Sequence, residues 1–324
     1  MQDAPNTFDM PLSGLETREE WLEKVAEITD EDGYVEPLGA RHTAIFVEDK
    51  PTLLVSFETH AGIAALSEDA QPLGWEMTKA LGWSSLCIVA DGDTWFRDPA
   101  VYAYFDRLVD DGFFEEFDQV IFYGAGPCGY AAAAFSVASP GARVVALAPQ
   151  ASLDPRVAEW DPRFTKMRRT AFDDRYGYAP DMLDAAERAF VIYDPAIEVD
   201  AMHAALFTRP NVTKFRMRFM GERLDESLMR MQILLRVLAQ VSTGKLTRQT
   251  LAKLYRARRN DPSYQFNLLR KTTTDARHYL TILLARKVLE QRRGPRFKRA
   301  MEAAGNVLVD EGKPLPPGFQ TEGA

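Results

Sequence analysis

The stretch "GAGPCGYAAAAFS", residues 124–136, decides the fold. It follows the apolar run QVIFY (119–123) and leads into a run of alanines, so a buried strand turns into a helix around a glycine-rich bend. Two chemistries use such a bend. The backbone N–H groups of a GxGxxG turn and the helix N-terminus behind it can meet a dinucleotide pyrophosphate. Alternatively, a sharp turn flanked by small residues lifts a nucleophile clear of the sheet.

Further apolar, β-rich runs lie at 43–48, 52–57, 84–90, 143–148, 189–193 and 212–219. Helical spacing lies between them, as in DPAVYAYFDRLVDD (98–111), and before them at 16–29. Strands alternating with helices, with near-continuous hydrophobicity in the middle strands, predict an α/β fold: a mostly parallel sheet with helices on both faces. Residues 155–188 break the alternation with a polar, aromatic and charged insertion, the place and composition of a lid over the strand ends. Beyond 225 the pattern is helical, with Ala276, Tyr279, Leu280, Leu283, Leu284, Val288 and Leu289 at three-four spacing. The expected organisation is an N-terminal helical segment (1–39), an α/β domain (40–224), a basic helical C-terminal extension (225–304) and a loose tail (305–324).

The dinucleotide reading needs an acidic residue about twenty positions on, at the end of the next strand, to hold a ribose hydroxyl. That strand ends Ala146-Leu147-Ala148-Pro149-Gln150, and the next acid is Asp154. At least three strands also precede the loop, whereas the fingerprint normally opens its domain. The other reading fits the flanks better. Gly124, Gly129, Tyr130, Ala131, Ala132, Pro149 and Gln150 match the elbow variant GSSMGGYAAL…PQ, and on these residues the segment resembles α/β-hydrolase-like proteins, some associated with bacterial surface polysaccharides. The resemblance spans roughly residues 40–225 and implies a nucleophile at position 126, an acid after the strand that follows the insertion, and a histidine after the next strand.

Position 126 is glycine, so the expected serine is absent. Asp194, in FVIYDP, stands where the acid belongs. The segment after the next strand reads Phe219-Met220-Gly221-Glu222-Arg223-Leu224, and no histidine lies between His203 and His278. A hydroxyl nucleophile needs an adjacent base near neutral pH, and this chain lacks both. Cys128 is the alternative nucleophile, but centring the turn there puts Tyr130 where close helix packing asks for a small side chain. The resemblance therefore implies a catalytically degenerate member that binds a small-molecule ligand or a protein partner, with no cofactor. The competing class is an enzyme: a nucleotide-dependent one using GAGPCG, or a hydrolase with Cys128 as nucleophile. The whole chain is also similar to a bacterial family often labelled phosphoadenosine phosphosulfate reductase. It has neither the SGGxDS-type loop nor the late catalytic cysteine of that class.

Net charge is −8 over 324 residues, which gives the molecule as a whole no electrostatic reason to seek nucleic acid. The charge is uneven. Residues 244–304 carry 16 Lys and Arg against 4 Asp and Glu, leaving −20 on the remainder, so the basic helices are expected to contact an acidic surface. Two cysteines without disulfide or metal spacing, no apolar signal core and no run of spanning length read as a cytoplasmic chain that is not transmembrane.

Ligands in open α/β sheets gather at the carboxyl ends of strands, which here present His60 with Gly62, then Asp91, Asp93, Trp95 and Arg97, then Gln150, Ser152 and Asp154, and last Asp194, Asp200 and His203. His60-Ala61-Gly62 occupies the place of an oxyanion-hole loop. In the segment 91–99, Asp98-Pro99 reads as a helix cap, while Trp95 and Arg97 either pack and pair beneath the insertion or line a pocket for an anionic or sugar-like ligand. Asp91, Asp93 and Asp194 have no metal-ligand spacing.

Overall fold

The computed structural model describes residues 8, 10–15 and 17–319, and these form two compact units, one of the described residues up to 218 with 222–254 and one of residues 219–221 with 255–319. The first unit runs α1 (Arg18–Thr29), β1 (Gly33–Leu38), β2 (His42–Val47), β3 (Lys50–Thr59), α2 (His60–Leu66), α3 (Leu73–Leu81), β4 (Trp83–Ala90), α4 (Pro99–Asp110), β5 (Gln119–Ala125) and α5 (Pro127–Phe135). It continues through β6 (Arg143–Leu147), two short helices α6 (Pro155–Ala158) and α7 (Ala179–Met182), β7 (Arg188–Tyr193), α8 (Glu198–Leu206), β8 (Val212–Arg216), α9 (Leu224–Arg230), α10 (Leu234–Ser242) and α11 (Arg248–Leu254). The second unit is helical, with α12 (Pro262–Thr274), α13 (His278–Leu289) and α14 (Pro295–Asp310).

The eight strands form one sheet in the order β1-β2-β4-β3-β5-β6-β7-β8. Strand β2 pairs antiparallel with both β1 and β4, and every other pairing is parallel. This is the α/β-hydrolase-like arrangement, with β5 central and its carboxyl end feeding the glycine bend.

Strands β2 and β4 are buried at every position, which requires cover on both faces and explains their lack of alternation. Helix α4 supplies part of that cover: Asp98 caps it by accepting from the Ala100 N–H at 2.9 Å, Pro99 opens it, and Val101, Tyr104, Phe105 and Leu108 form its buried stripe. Helix α5 is buried from Cys128 through Phe135. Its alanines and Gly129 let it lie close to the sheet, since a Cβ on Gly129 would stand 3.0 Å from the Leu147 carbonyl oxygen.

Three sequence expectations need correction. Gly33–Leu38, expected inside an N-terminal helical segment, is the edge strand β1; Gly33 to Glu36 are half-buried, Pro37 is exposed and only Leu38 is buried, and Pro37 is tolerated because an edge leaves N–H positions unpaired. The expected tail from 305 is helical as far as Asp310, because Ala304 and Leu308 are buried with Ile282 of α13. Residues 320–324 of that tail lie outside the described residues. Helices α9 to α11, expected to belong to the basic extension, belong to the sheet-bearing unit.

Candidate functional site

The bend between β5 and α5 turns on Gly126, whose φ of +57° and ψ of −123° suit glycine and strain any residue with a Cβ. The Gly126 N–H donates to the Leu147 carbonyl at 2.8 Å, and the Tyr130 N–H closes the first helical turn on the Gly126 carbonyl at 2.9 Å. A Cβ on Gly126 would meet nothing within 4 Å, so the apex faces open space. Pro127 follows it and has no N–H to offer.

That space is a cavity of about 450 Å³. Its floor is Ala125, Gly126, Cys128 and Tyr123 from the bend and Glu58 from the end of β3, with Gln150 from the segment after β6. The insertion contributes Arg163 and Phe164, and the loop after β8 contributes Glu222, Arg223 and, at the start of α9, Asp225. Position 222 thus brings a carboxylate to the region where the resemblance calls for a histidine.

Glu58 is buried and accepts from Ser56 Oγ at 2.7 Å, from Cys87 Sγ at 3.3 Å and from the Leu73 N–H at 3.2 Å. Burial outweighs those bonds and raises its carboxyl above the usual range. Cys128 is the second helical residue of α5 rather than the apex. Its thiol is pushed up by burial first and then by the carboxylates of Glu58, Asp225 and Asp93, an environment that opposes the thiolate. Tyr123 Oη and Gln150 Oε1 are buried, and among the described residues neither has a hydrogen-bond partner.

The other candidates are placed elsewhere. Asp194 is buried after β7 and accepts from the Ala196 N–H at 2.8 Å, shaping the turn into α8. It is not among the cavity's lining residues. His60 opens α2 and packs edge-on against Trp21 at 5.2 Å, while its neighbours Ala61 and Gly62 reach the cavity. Asp91 is exposed, and its carbonyl accepts from Arg41. Trp95 is buried with its ring 4.6 Å from that of Phe164. Arg97 turns from the cavity to the insertion, donating to the carbonyls of Ala171 (3.0 Å) and Arg175 (2.6 Å), to Tyr130 Oη (3.3 Å) and to Asp174. Gly124 and Gly129 are packed rather than exposed, and of the expected residues Gly62, Asp93, Gly126, Cys128, Gln150 and Asp200 meet at the cavity. No group of three or more His, Cys, Asp or Glu among the described residues could hold a metal, so Asp91, Asp93 and Asp194 do not form one.

Sequence reasoning missed Glu58, Tyr123, Arg163 and Asp225. Glu58 left a readable trace as an acid at the end of an apolar strand run. The others come from separate segments that only the fold joins. At the cavity wall, Arg163 bonds Asp161 at 2.7 Å and Asp200 at 2.8 Å. Burial pulls the Asp161 carboxyl up, and the bonds from Arg163 outweigh it and hold that carboxyl below the usual range. Burial wins at Asp200, which has one bond from Arg163 and Glu222 nearby, and raises it. Asp161 also accepts at 3.1 Å from His203 Nε2. The His203 Nδ1 accepts from the Ala151 N–H at 3.2 Å, so the ring proton sits on Nε2.

Burial lowers His203 from 6.5 to about 4 against the pull of Asp161, and lowers His42 from 6.5 to about 4 against the pull of Asp98. Both rings stay neutral when folded, whereas the unfolded chain protonates below 6.5. Stability from these sites is therefore fully present above pH 6.5 and is lost as pH falls towards 4. Urea unfolding should lose about 3 kcal/mol for each ring across that window, and His203→Gln should remove one share of the slope. An unchanged slope in that variant would refute the assignment.

No known family profile matches the chain, and no curated protein matches it. Solved structures resemble it in fold. A carboxyl esterase 2 from the mycorrhizal fungus Tuber melanosporum is 12% identical with a TM-score of 0.39, over 69% of this chain and 86% of that one. A hyperthermophilic esterase from the archaeon Pyrobaculum calidifontis is 16% identical with a TM-score of 0.42, over 73% and 92%. Brefeldin A esterase, a bacterial homologue of human hormone sensitive lipase, is 15% identical with a TM-score of 0.40, over 68% and 76%. The likeness is one of fold alone. Among the described residues no helix is long and apolar enough to cross a membrane.

Proposed function

We propose that this chain is an α/β-hydrolase-fold protein that binds a small molecule at the carboxyl end of β5 and does not hydrolyse by a Ser-His-Asp route. The observation that carries this reading is the pair Gly126-Pro127. Acyl transfer at such a bend needs a nucleophilic side chain at the apex and, for the oxyanion, the backbone N–H of the residue after it. Glycine supplies no side chain and proline no N–H. None of the four histidines lines the cavity, so the base is missing as well. What persists is the sharp turn and the concavity in front of it, which suit binding.

The same residues fit a dinucleotide poorly. The Gly126 N–H is used by Leu147, Pro127 lacks one, and Glu58, Asp93 and Asp225 surround the bend with carboxyl groups that repel a pyrophosphate.

Hydrolysis of p-nitrophenyl butyrate should equal the buffer rate for the wild type and stay there for Asp194→Ala. Gly126→Ser places a hydroxyl in open space yet supplies neither base nor oxyanion donor, so it too should remain at background. Saturable turnover by the wild type, or ester-probe labelling of Cys128 that blocks such turnover, would overturn this reading.

A further inference from the structure

The acidic groups of the cavity outnumber its basic ones. Asp93, Asp200, Glu222 and Asp225 face only Arg163 and Arg223, and both guanidinium groups are already committed. Arg163 is bracketed by Asp161 and Asp200, and Arg223 bonds Glu226 at 2.8 Å with Asp225 3.7 Å away. Asp93 and Glu222 are exposed and make no salt bridge among the described residues. A second observation is independent of charge. Gln150 and Tyr123, each only 2% exposed, are lining residues of the cavity, and the Gln150 Oε1 and the Tyr123 hydroxyl, both occluded, have no hydrogen-bond partner among the described residues. A buried acceptor without a donor is costly, and Gln150 Oε1 can only accept. The remaining wall is apolar, with Phe57, Leu66 and Phe164.

We propose that the cavity takes a small organic cation carrying N–H donors, a protonated primary or secondary amine with an apolar body. This deepens the binding reading above and rests on it. The ammonium group sits among Asp93, Glu222 and Asp225, its N–H groups satisfy Gln150 Oε1 and the Tyr123 hydroxyl, and the body lies against Phe57 and Phe164. A quaternary ammonium offers charge without donors and is the poorer ligand. A carboxylate meets repulsion.

The test is calorimetric titration of the full chain with phenethylamine, trimethyl(phenethyl)ammonium, 2-phenylethanol and phenylacetate. Phenethylamine should bind saturably, the quaternary and neutral analogues at least about tenfold more weakly, and phenylacetate not at all. The double variant Asp93→Asn, Glu222→Gln removes two exposed carboxylates, so its unfolding midpoint should stay that of the wild type while phenethylamine affinity falls about tenfold or more. No saturable amine binding, phenylacetate binding as tightly as the amine, equal binding of the quaternary analogue, or unchanged affinity in the double variant would each overturn the proposal. The p-nitrophenyl butyrate assay on the same preparation separates the two readings. Turnover alongside amine selectivity refutes only the non-catalytic reading, and inertness without amine binding refutes only the ligand class.

Discussion

Gly124→Ala should unfold the bend, whereas Gly126→Ala, two residues away, should leave it standing. A Cβ at position 124 would lie 2.1 Å from the Cys128 carbonyl oxygen and 2.8 Å from the Gly129 nitrogen. Both are backbone atoms in the first turn of α5, which is buried along its length and cannot retreat. Relief requires unwinding that turn, so the loss should reach about 4 kcal/mol or more, and an insoluble product is an equally expected form of it. At position 126 the new methyl meets open space, and the cost is confined to backbone strain at φ +57°, about 1–2 kcal/mol. Urea unfolding followed by circular dichroism, with soluble yield recorded, reads both variants. Equal midpoints for the two would show that the close approach of β5 and α5 does not limit this bend.

How far the sequence was legible follows from the kind of signal each feature carries. The runs at 43–48, 84–90 and 143–148 became β2, β4 and β6 within a residue or so because a strand buried on both faces must be apolar throughout. Strand β1 was invisible for the opposite reason: GYVEPL lies on an edge, with a glutamate and a proline that only an edge accepts. The bend was readable because glycine spacing and flanking alanines report a backbone conformation directly.

The cavity was half legible. Gln150 and Asp93 follow strand ends and were reachable by topology, and Gly126 by spacing. The Arg163 guanidinium and the carboxylates of Glu222 and Asp225 arrive from an irregular insertion and a loop, where no periodicity announces direction. Arg97 shows the limit most clearly. Its company of charges and aromatics fitted a ligand pocket as well as a clamp, and only the placement of residues 171–175 distinguishes them.

Arg97→Ala should release the insertion and open the cavity. The Arg97 side chain is 1% exposed and lies between the rings of Tyr102 and Phe172, 5.0 and 5.3 Å from their centroids. Its fork holds two backbone carbonyls, an aspartate and the hydroxyl of Tyr130, and that hydroxyl in turn donates to the Tyr176 carbonyl at 2.5 Å. One planar group therefore ties residues 171–176 to helix α5. Truncation should cost about 3 kcal/mol, a fall of roughly 6–10 °C in Tm for a domain of this size. Arg97→Lys keeps the charge but not the fork and should recover less than half of that loss, since a single ammonium cannot reach four acceptors and stack between two rings. The insertion also carries Phe164, which packs on Trp95 and walls the cavity, so hydrogen exchange over 164–176 should quicken in both variants. Trypsin should then cut at Arg168, Arg169 or Arg175 before the sheet unfolds. Full recovery of stability by lysine, or exchange that quickens evenly across the sheet, would mean that Arg97 contributes charge alone and that the insertion is held by its own packing.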